Sequence, residues 1–421
     1  MGSLSQAITE MGLDLYNELN KEAANKNIFY SPFSICTGLA MVLLAARGNT
    51  ATQMQKVLHV NRASGSASHR AGPVSESGIL EAEPEYLSEG EYHQRPHFPK
   101  ASPSRCDVVG GIHTQFQTLL SQLKHLSQSY TLSLANSLFA QKGYHFHQQY
   151  VKCTKELYGA VLQTVDFQQA TEAARQMINS WVESQTQGKI RDLFVPGVIT
   201  SDAVLVLVNA MYFKAAWEYK FEQKHTMPKD FRINQNESKS VQMMYQKGKF
   251  KIGHIQEMNA QILVLPYAGK SLNMIILLPD DITGLEQVER AMTYEKLTHW
   301  TSSASMSERE VEVHLPQFKL EDTFDLNLPL QAMGMTDAFD VLKADLSGMA
   351  PSRGLFLSKV VHKAYVEVNE EGTLAAAATG SVVINKSYPS SDLFMADHPF
   401  LFFIQHNPTN TILFLGKLCS P

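Results

Sequence analysis

Residues 366–387 constrain this chain more than any other stretch. Val366, Glu367 and Val368 alternate as a half-buried strand does, Glu370-Glu371-Gly372 is turn-capable, and from Thr373 onward the side chains are small and uncharged. Ala375, Ala376, Ala377 and Ala378 admit two readings. An alanine run is good helix or a tolerant linker, because alanine has no side-chain entropy to lose. Read as a strand, Thr373, Ala375, Ala377, Thr379, Ser381 and Val383 share one face, and Leu374, Ala376, Ala378, Gly380 and Val382 share the other. No charge falls on either face, so an existing sheet could accept the segment without burying an ion. Val382, Val383 and Ile384 favour β structure and lead to a single cation, Lys386, followed by the small Ser387.

The remainder is expected to form one large domain over residues 1–421. No Pro/Gly-rich linker splits the apolar segments, and a chain with 44% hydrophobic and 18% charged residues can bury a large core. A net charge of -5 gives no reason to expect nucleic acid as a partner. The N-terminus lacks a basic region followed by an apolar stretch, and apolar runs such as 204–208 and 400–404 are far too short to span a bilayer. Neither a secretory signal nor a membrane span is therefore expected. Cys36, Cys106, Cys153 and Cys419 are few and widely spaced, which signals neither a disulfide framework nor a zinc knuckle and fits a reducing compartment. Cys106, in a polar loop, is the one expected to meet oxidants.

Local patterns predict a wholly buried helix at 35–46 capped by Ser34, helices at 112–126, 171–186 and 285–300, and a fully buried strand at 203–214. Further strands are expected at 131–139, 249–255, 261–267, 272–278, 311–315 and 358–368, with a terminal hairpin of 399–406 and 411–418. This mixture, outside a βαβ rhythm, argues for an α+β fold. Residues 63–111 lose all apolar periodicity and read as a disordered interhelical insertion. His145 and His147 share a strand-face spacing, but no carboxylate or cysteine lies nearby in sequence, so no metal is assigned. No cofactor is expected either. The chain has no G-x-S-x-G elbow, H-E-x-x-H pair, phosphate-binding glycine loop or dinucleotide fingerprint, which weighs against an enzyme.

Glu370-Glu371-Gly372-Thr373 followed by the alanines resembles the hinge of the reactive-centre loop of the serpins. The ending, from His398-Pro399-Phe400 through Cys419-Ser420-Pro421, is similar to that of their intracellular, ovalbumin-like branch, clade B. Asn27-Ile28-Phe29-Tyr30-Ser31-Pro32-Phe33-Ser34, Leu207-Val208-Asn209-Ala210-Met211-Tyr212-Phe213-Lys214, Trp217, the motif from Ala344 to Met349 and that from Ser358 to Ala364 occur in the family's order.

The resemblance implies a serpin fold of three β-sheets surrounded by about nine helices, with an exposed reactive-centre loop at 370–392. It implies a sheet-opening cluster of Ser31, Ser34, Asn209, His362 and Trp217, and a hinge of Glu371, Gly372, Thr373 and Ala375 to Ala378. In inhibitory serpins the hinge glycine is the fifteenth residue before the cleaved bond, which from Gly372 places the reactive bond at Lys386-Ser387. The implied activity is suicide inhibition of a trypsin-like serine protease, the partner in a covalent complex, by a monomer that is cytoplasmic or nonclassically released. Leu374 stands where the family has an acidic residue. Two alternatives stay open. Val383 and Ile384 suit the apolar subsites of cysteine cathepsins, and a non-inhibitory serpin could act as a binding protein through residues 63–111. Asn385-Lys386-Ser387 and Asn236-Glu237-Ser238 are formal glycan acceptors, and a glycan on Asn385 would obstruct a protease.

Overall fold

Twelve consecutive buried residues, Pro32–Leu43, form the helix on which two sheets rest. The computed structural model describes residues 2–61, 106–108, 110–125, 129–351, 353–373 and 390–421. In chain order the elements are α1 (Gly2–Asn20), β1 (Ile28–Tyr30), α2 (Pro32–Leu43), α3 (Gly48–Val57), α4 (Ile112–His125), β2 (Tyr130–Gln141), α5 (Gln148–Tyr158), β3 (Leu162–Val165), α6 (Thr171–Gln185), β4 (Leu205–Ala216), β5 (Met227–Arg232) and β6 (Ser238–Ile255). The second half holds β7 (Ala260–Pro266), β8 (Leu272–Pro279), α7 (Leu285–Ala291), α8 (Tyr294–Trp300), β9 (Ser307–Pro316), β10 (Phe318–Asp325), α9 (Asn327–Ala332), β11 (Lys359–Asn369), β12 (Gly372–Thr373), β13 (Asp392–Met395), β14 (Phe400–His406) and β15 (Thr411–Leu418). The expected α+β class is borne out. Among the described residues no helix is long and apolar enough to cross a membrane.

The main sheet runs β10-β11-β12-β4-β2-β3. The larger sheet runs β1-β15-β14-β8-β7-β6-β9-β13, with β5 on β6. Three sheets are expected, and hydrogen bonding joins two of them because β6 serves both: its first third pairs with β5 and its last residues with β7. Helix α2 lies between β2 and β4 on one side and β15 on the other. On β4, Leu205, Leu207, Met211 and Phe213 face the α2 core, while Val206, Val208, Ala210 and Tyr212 join a second core with Ile178 and Val182 of α6. Both faces are covered, which explains why that strand reads as one continuous apolar run.

Three local expectations are corrected. The helix begins at Pro32, not Ile35, with Ser31 as its cap: the Ser34 N–H donates to Ser31 Oγ, and proline suits the first helical turn. The predicted helix at 285–300 is broken, because Thr293 caps a new start by accepting the Lys296 N–H. Cys106 and Cys153 form a disulfide, Cα atoms 5.3 Å apart, whereas Cys36 and Cys419 are free and buried. Sequence spacing could not show this pairing, since the two residues meet only because α4 packs on α5. Most of the 63–111 insertion lies outside the described residues. Its end does not, and there Asp107 Oδ2 accepts the Thr114 N–H at 2.8 Å in the first turn of α4.

The disulfide closes a loop of 47 residues that brackets β2. Chain-entropy arguments assign such a crosslink about 4 kcal/mol, as an upper figure. Mild reduction should therefore lower the melting temperature by several degrees, read by circular dichroism with and without dithiothreitol. Cys153→Ser should melt like the reduced protein, and an unchanged melt on reduction would remove the crosslink from the stability account.

Candidate functional site

Strands β4 and β11 run parallel and pair directly, from Lys359↔Val206 to Tyr365↔Tyr212, which sets His362 beside Asn209. His362 is fully buried; its Nε2 accepts the Ser31 N–H at 3.0 Å and its Nδ1–H donates to Asn209 Oδ1 at 2.6 Å. One acceptor and one donor define a neutral ring, and burial pulls its pKa down to about 3. Asn209 Oδ1 also accepts from Ser34 Oγ at 2.7 Å, while its Nδ2 donates to Ser34 O at 2.7 Å and to Asn136 Oδ1. Every hydrogen-bonding position of that amide is filled. Ser31 Oγ donates to Leu413 O at 2.6 Å. The cluster thereby links α2, β2, β4, β11 and β15.

No hydrolytic triad is present in this cluster. The His362 ring meets the backbone of Ser31 and not its hydroxyl, and its other nitrogen faces an amide instead of a carboxylate. A neutral imidazole held between two strands is suited to bridging them.

The residues expected to form the hinge lie at the far end of the same two strands. After a turn at Glu370-Glu371, β12 wedges between them, antiparallel to both: Val368↔Thr373 and Asn369↔Gly372 on β11, Gly372↔Ala216 and Thr373↔Ala215 on β4. Gly372 has φ +143°, and a Cβ there would sit 2.2 Å from Ala215 O, so only glycine fits. Thr373 is fully buried, with Oγ1 3.0 Å from Tyr267 Oη. The Tyr267 ring stacks on Trp217 with centroids 4.6 Å apart, and Trp217 Nε1 donates to Asn369 O at 3.0 Å. Trp217 N–H and Phe221 N–H donate to Glu371 O and Glu370 O, each at 2.9 Å. Buried Glu370 accepts from Thr226 and Gln317, both at 2.7 Å, while Glu371 reaches Lys220 at 2.7 Å in a more exposed pair of smaller worth.

The structure thus brings together four of the five residues expected in the sheet-opening cluster. Trp217 is elsewhere: it stands eight residues beyond Asn209, roughly 26 Å along an extended strand, where it holds the hinge. Glu371, Gly372 and Thr373 lie at that hinge, whereas Ala375 to Ala378, Lys386 and Ser387 fall outside the described residues. Sequence reasoning missed Asn136, Tyr267 and Gln317. Each is an ordinary polar residue in a strand or turn, and only the sheet partner gives it a role. His147 Nε2 donates to Ser347 O at 3.1 Å, and no metal-holding group of three or more side chains occurs among the described residues.

A wholly buried helix between two sheets, and a loop that pairs within the main sheet at Gly372 and Thr373, define a class. The model of the family described as Serpin (serine protease inhibitor) matches residues 6–421, and the chain belongs to that family. The family's description is that of an inhibitor of proteases and not of a catalyst. The chain's relatives include clade B serpins: Serpin B11 of Homo sapiens is 47% identical over 421 residues, and the leukocyte elastase inhibitor of Sus scrofa is 46% identical over 425, with both chains fully covered in each case. Uncleaved ovalbumin superposes with a TM-score of 0.83 at 38% identity, again over the whole of both chains.

The His362 pKa sets a pH dependence. It lies below that of a histidine in the unfolded chain, so the folded state binds fewer protons. The ring's contribution is complete above pH 6.5 and is lost as pH falls from there toward about 3. The wild-type melting temperature should therefore drop more steeply between pH 6.5 and 4.5 than that of His362→Gln. Parallel pH profiles for the two proteins would exclude the imidazole as the cause.

Proposed function

We propose that this serpin is a suicide-substrate inhibitor of trypsin-like serine proteases, acting as a monomer in the cytosol or after nonclassical release. The protease serine attacks the Lys386 carbonyl, the Lys386-Ser387 bond breaks with the proton passing to the Ser387 amine, and an acyl-enzyme forms. Lys386 suits an acidic specificity pocket. The freed strand then enters the main sheet faster than water releases the acyl group, and the protease is carried off in a distorted state.

The observation that carries this reading is the register of β12. Its two residues already pair antiparallel with β4 and β11, the strands that elsewhere pair with each other. Continued six residues further, that register sets Thr379 opposite Asn209 on one side and His362 on the other. Thr379 shares the Thr373 face, which points to the polar cluster, so its hydroxyl can replace the hydrogen bond that the parting strands lose. Ala375 and Ala377 on the same face add little volume above α2. The parallel pairing of β4 and β11 gives way to a fully antiparallel sheet centre, slightly more stable per residue. The leukocyte elastase inhibitor among the relatives, named for inhibiting an elastase, supports the inhibitor role.

Incubation with trypsin should yield a complex that survives boiling in detergent, with mass spectrometry locating the cut after Lys386. Thr379→Arg should divert at least ten of every eleven encounters to simple cleavage, because an arginine cannot be seated between Asn209 and His362. Cleavage without complex by the wild type would defeat the inhibitor reading. A complex with a cysteine cathepsin cut elsewhere in 382–387 would move the specificity to that class.

A further inference from the structure

The Cys106–Cys153 disulfide takes no part in the hinge or the polar cluster, and its two sulfurs stand in unlike surroundings. Cys106 precedes α4 and is partly exposed, whereas Cys153 lies in the middle of α5 with 4% of its surface exposed. A reagent arriving from solvent therefore meets Cys106 first.

Two side chains of α5 give the bond a direction. Gln149, one helical turn before Cys153, donates through Nε2 to Cys153 Sγ at 3.2 Å. A neutral disulfide sulfur is a weak acceptor, and the same N–H bonds a thiolate far more strongly. The amide thus already lies on the sulfur that gains negative charge when the bond is opened by attack at Cys106, and a stabilised thiolate leaves faster. On the other side, Glu156 Oε2 lies 3.7 Å from Cys106 Sγ. A disulfide sulfur has no proton to give, so this is a bare contact between a carboxylate and the atom open to attack, and it opposes the approach of an anion. Asp107, the next residue, is instead held by the Val108 and Thr114 N–H groups. Lys152, one turn before Glu156, forms no ion pair with it.

We propose that this disulfide is a thiol-exchange site, at which a small uncharged or cationic thiol becomes attached to Cys106. The thiolate of the incoming molecule attacks Cys106 Sγ and a new S–S bond forms there. The Cys106–Cys153 bond breaks, with its electron pair going to Cys153 Sγ. Gln149 stabilises that thiolate until it takes up the proton the incoming thiol gave up, so no oxidant is consumed. Return attack by Cys153 on the mixed disulfide expels the small thiol, which makes the attachment reversible. While it lasts, α4 and α5 are held together only by noncovalent contacts such as the hydrogen bond of His113 with Tyr158. Residues 370–392 play no part, so the site holds whether or not the chain inhibits a protease.

The test uses the oxidised full chain at mildly alkaline pH with cysteamine, mercaptoethanol or mercaptoethanesulfonate, compared at equal thiolate concentration. Reactions are stopped early with acid, free thiols are blocked by N-ethylmaleimide in denaturant, and peptide mass spectrometry reads which cysteine carries the added thiol. The adduct should sit on Cys106 and the block on Cys153, in at least tenfold excess over the reverse, at a rate proportional to thiol concentration. Cysteamine should react at least fivefold faster than the sulfonate, and Glu156→Gln should shrink that ratio at least threefold. Gln149→Leu should slow exchange at least fivefold, whereas Gln149→Lys, which keeps a donor and adds a charge, should quicken it. Circular dichroism checks that each variant folds; where one does not, the adduct position and the thiol ratio of the wild type decide. An adduct mainly on Cys153, a rate independent of thiol concentration, or equal rates for cysteamine and the sulfonate would overturn the proposal. So would a folded Gln149→Leu that reacts like the wild type, or a thiol ratio that a folded Glu156→Gln leaves unchanged.

Discussion

The hydrogen bond from His362 to Asn209 joins two strands that are neighbours only while nothing stands between them. Both side chains are buried, so their polar atoms cannot turn to water, and each is instead satisfied by Ser31, Ser34 and Asn136. Such a cluster is strong while complete and costly when half-broken. That asymmetry suits the proposed sheet opening, in which the strands part only when a specific replacement arrives. A salt bridge in the same place would bind the strands at the expense of heavy desolvation, and a purely apolar seam would carry no preference for what enters.

The hinge works by different physics. Its hold on the sheet is packing and backbone geometry: a glycine in a conformation closed to other residues, a threonine bonded to Tyr267, and an indole stacked on Tyr267 that donates to Asn369 O. Glu370 is buried but doubly hydrogen-bonded, so the turn before the glycine is fixed where the chain must change direction. Gly372 and Thr373 already pair antiparallel with both strands. The strand entry proposed above would lengthen a strand that already exists, which avoids the entropy of starting a new one.

Much of this was legible in the residue pattern. The continuous apolar run of β4 and the all-round apolar α2 could only be interior elements, and the small uncharged residues after Thr373 read as something a core could accept. The cap of α2 was misplaced by three residues because Ser31 and Ser34 both suit the role, and only Ser31 Oγ lies where the helix's first free N–H groups point. The break between α7 and α8 was hidden by apolar periodicity that continues across Thr293. The pairing of Cys106 with Cys153 left no trace in spacing, since α4, β2 and part of α5 separate them.

The order of residues by itself determined which segments are interior, where the chain turns, and that residues 372–386 carry a glycine, a run of small uncharged side chains and one cation, because these depend on side-chain size, charge and periodicity within a few residues. Tertiary structure alone decided that β4 and β11 lie side by side, that His362 is neutral between Ser31 and Asn209, and that Trp217 serves the hinge and not the polar cluster. Those facts depend on contacts between residues up to 331 positions apart. No local pattern encodes such distances; they arise from packing two sheets around one buried helix.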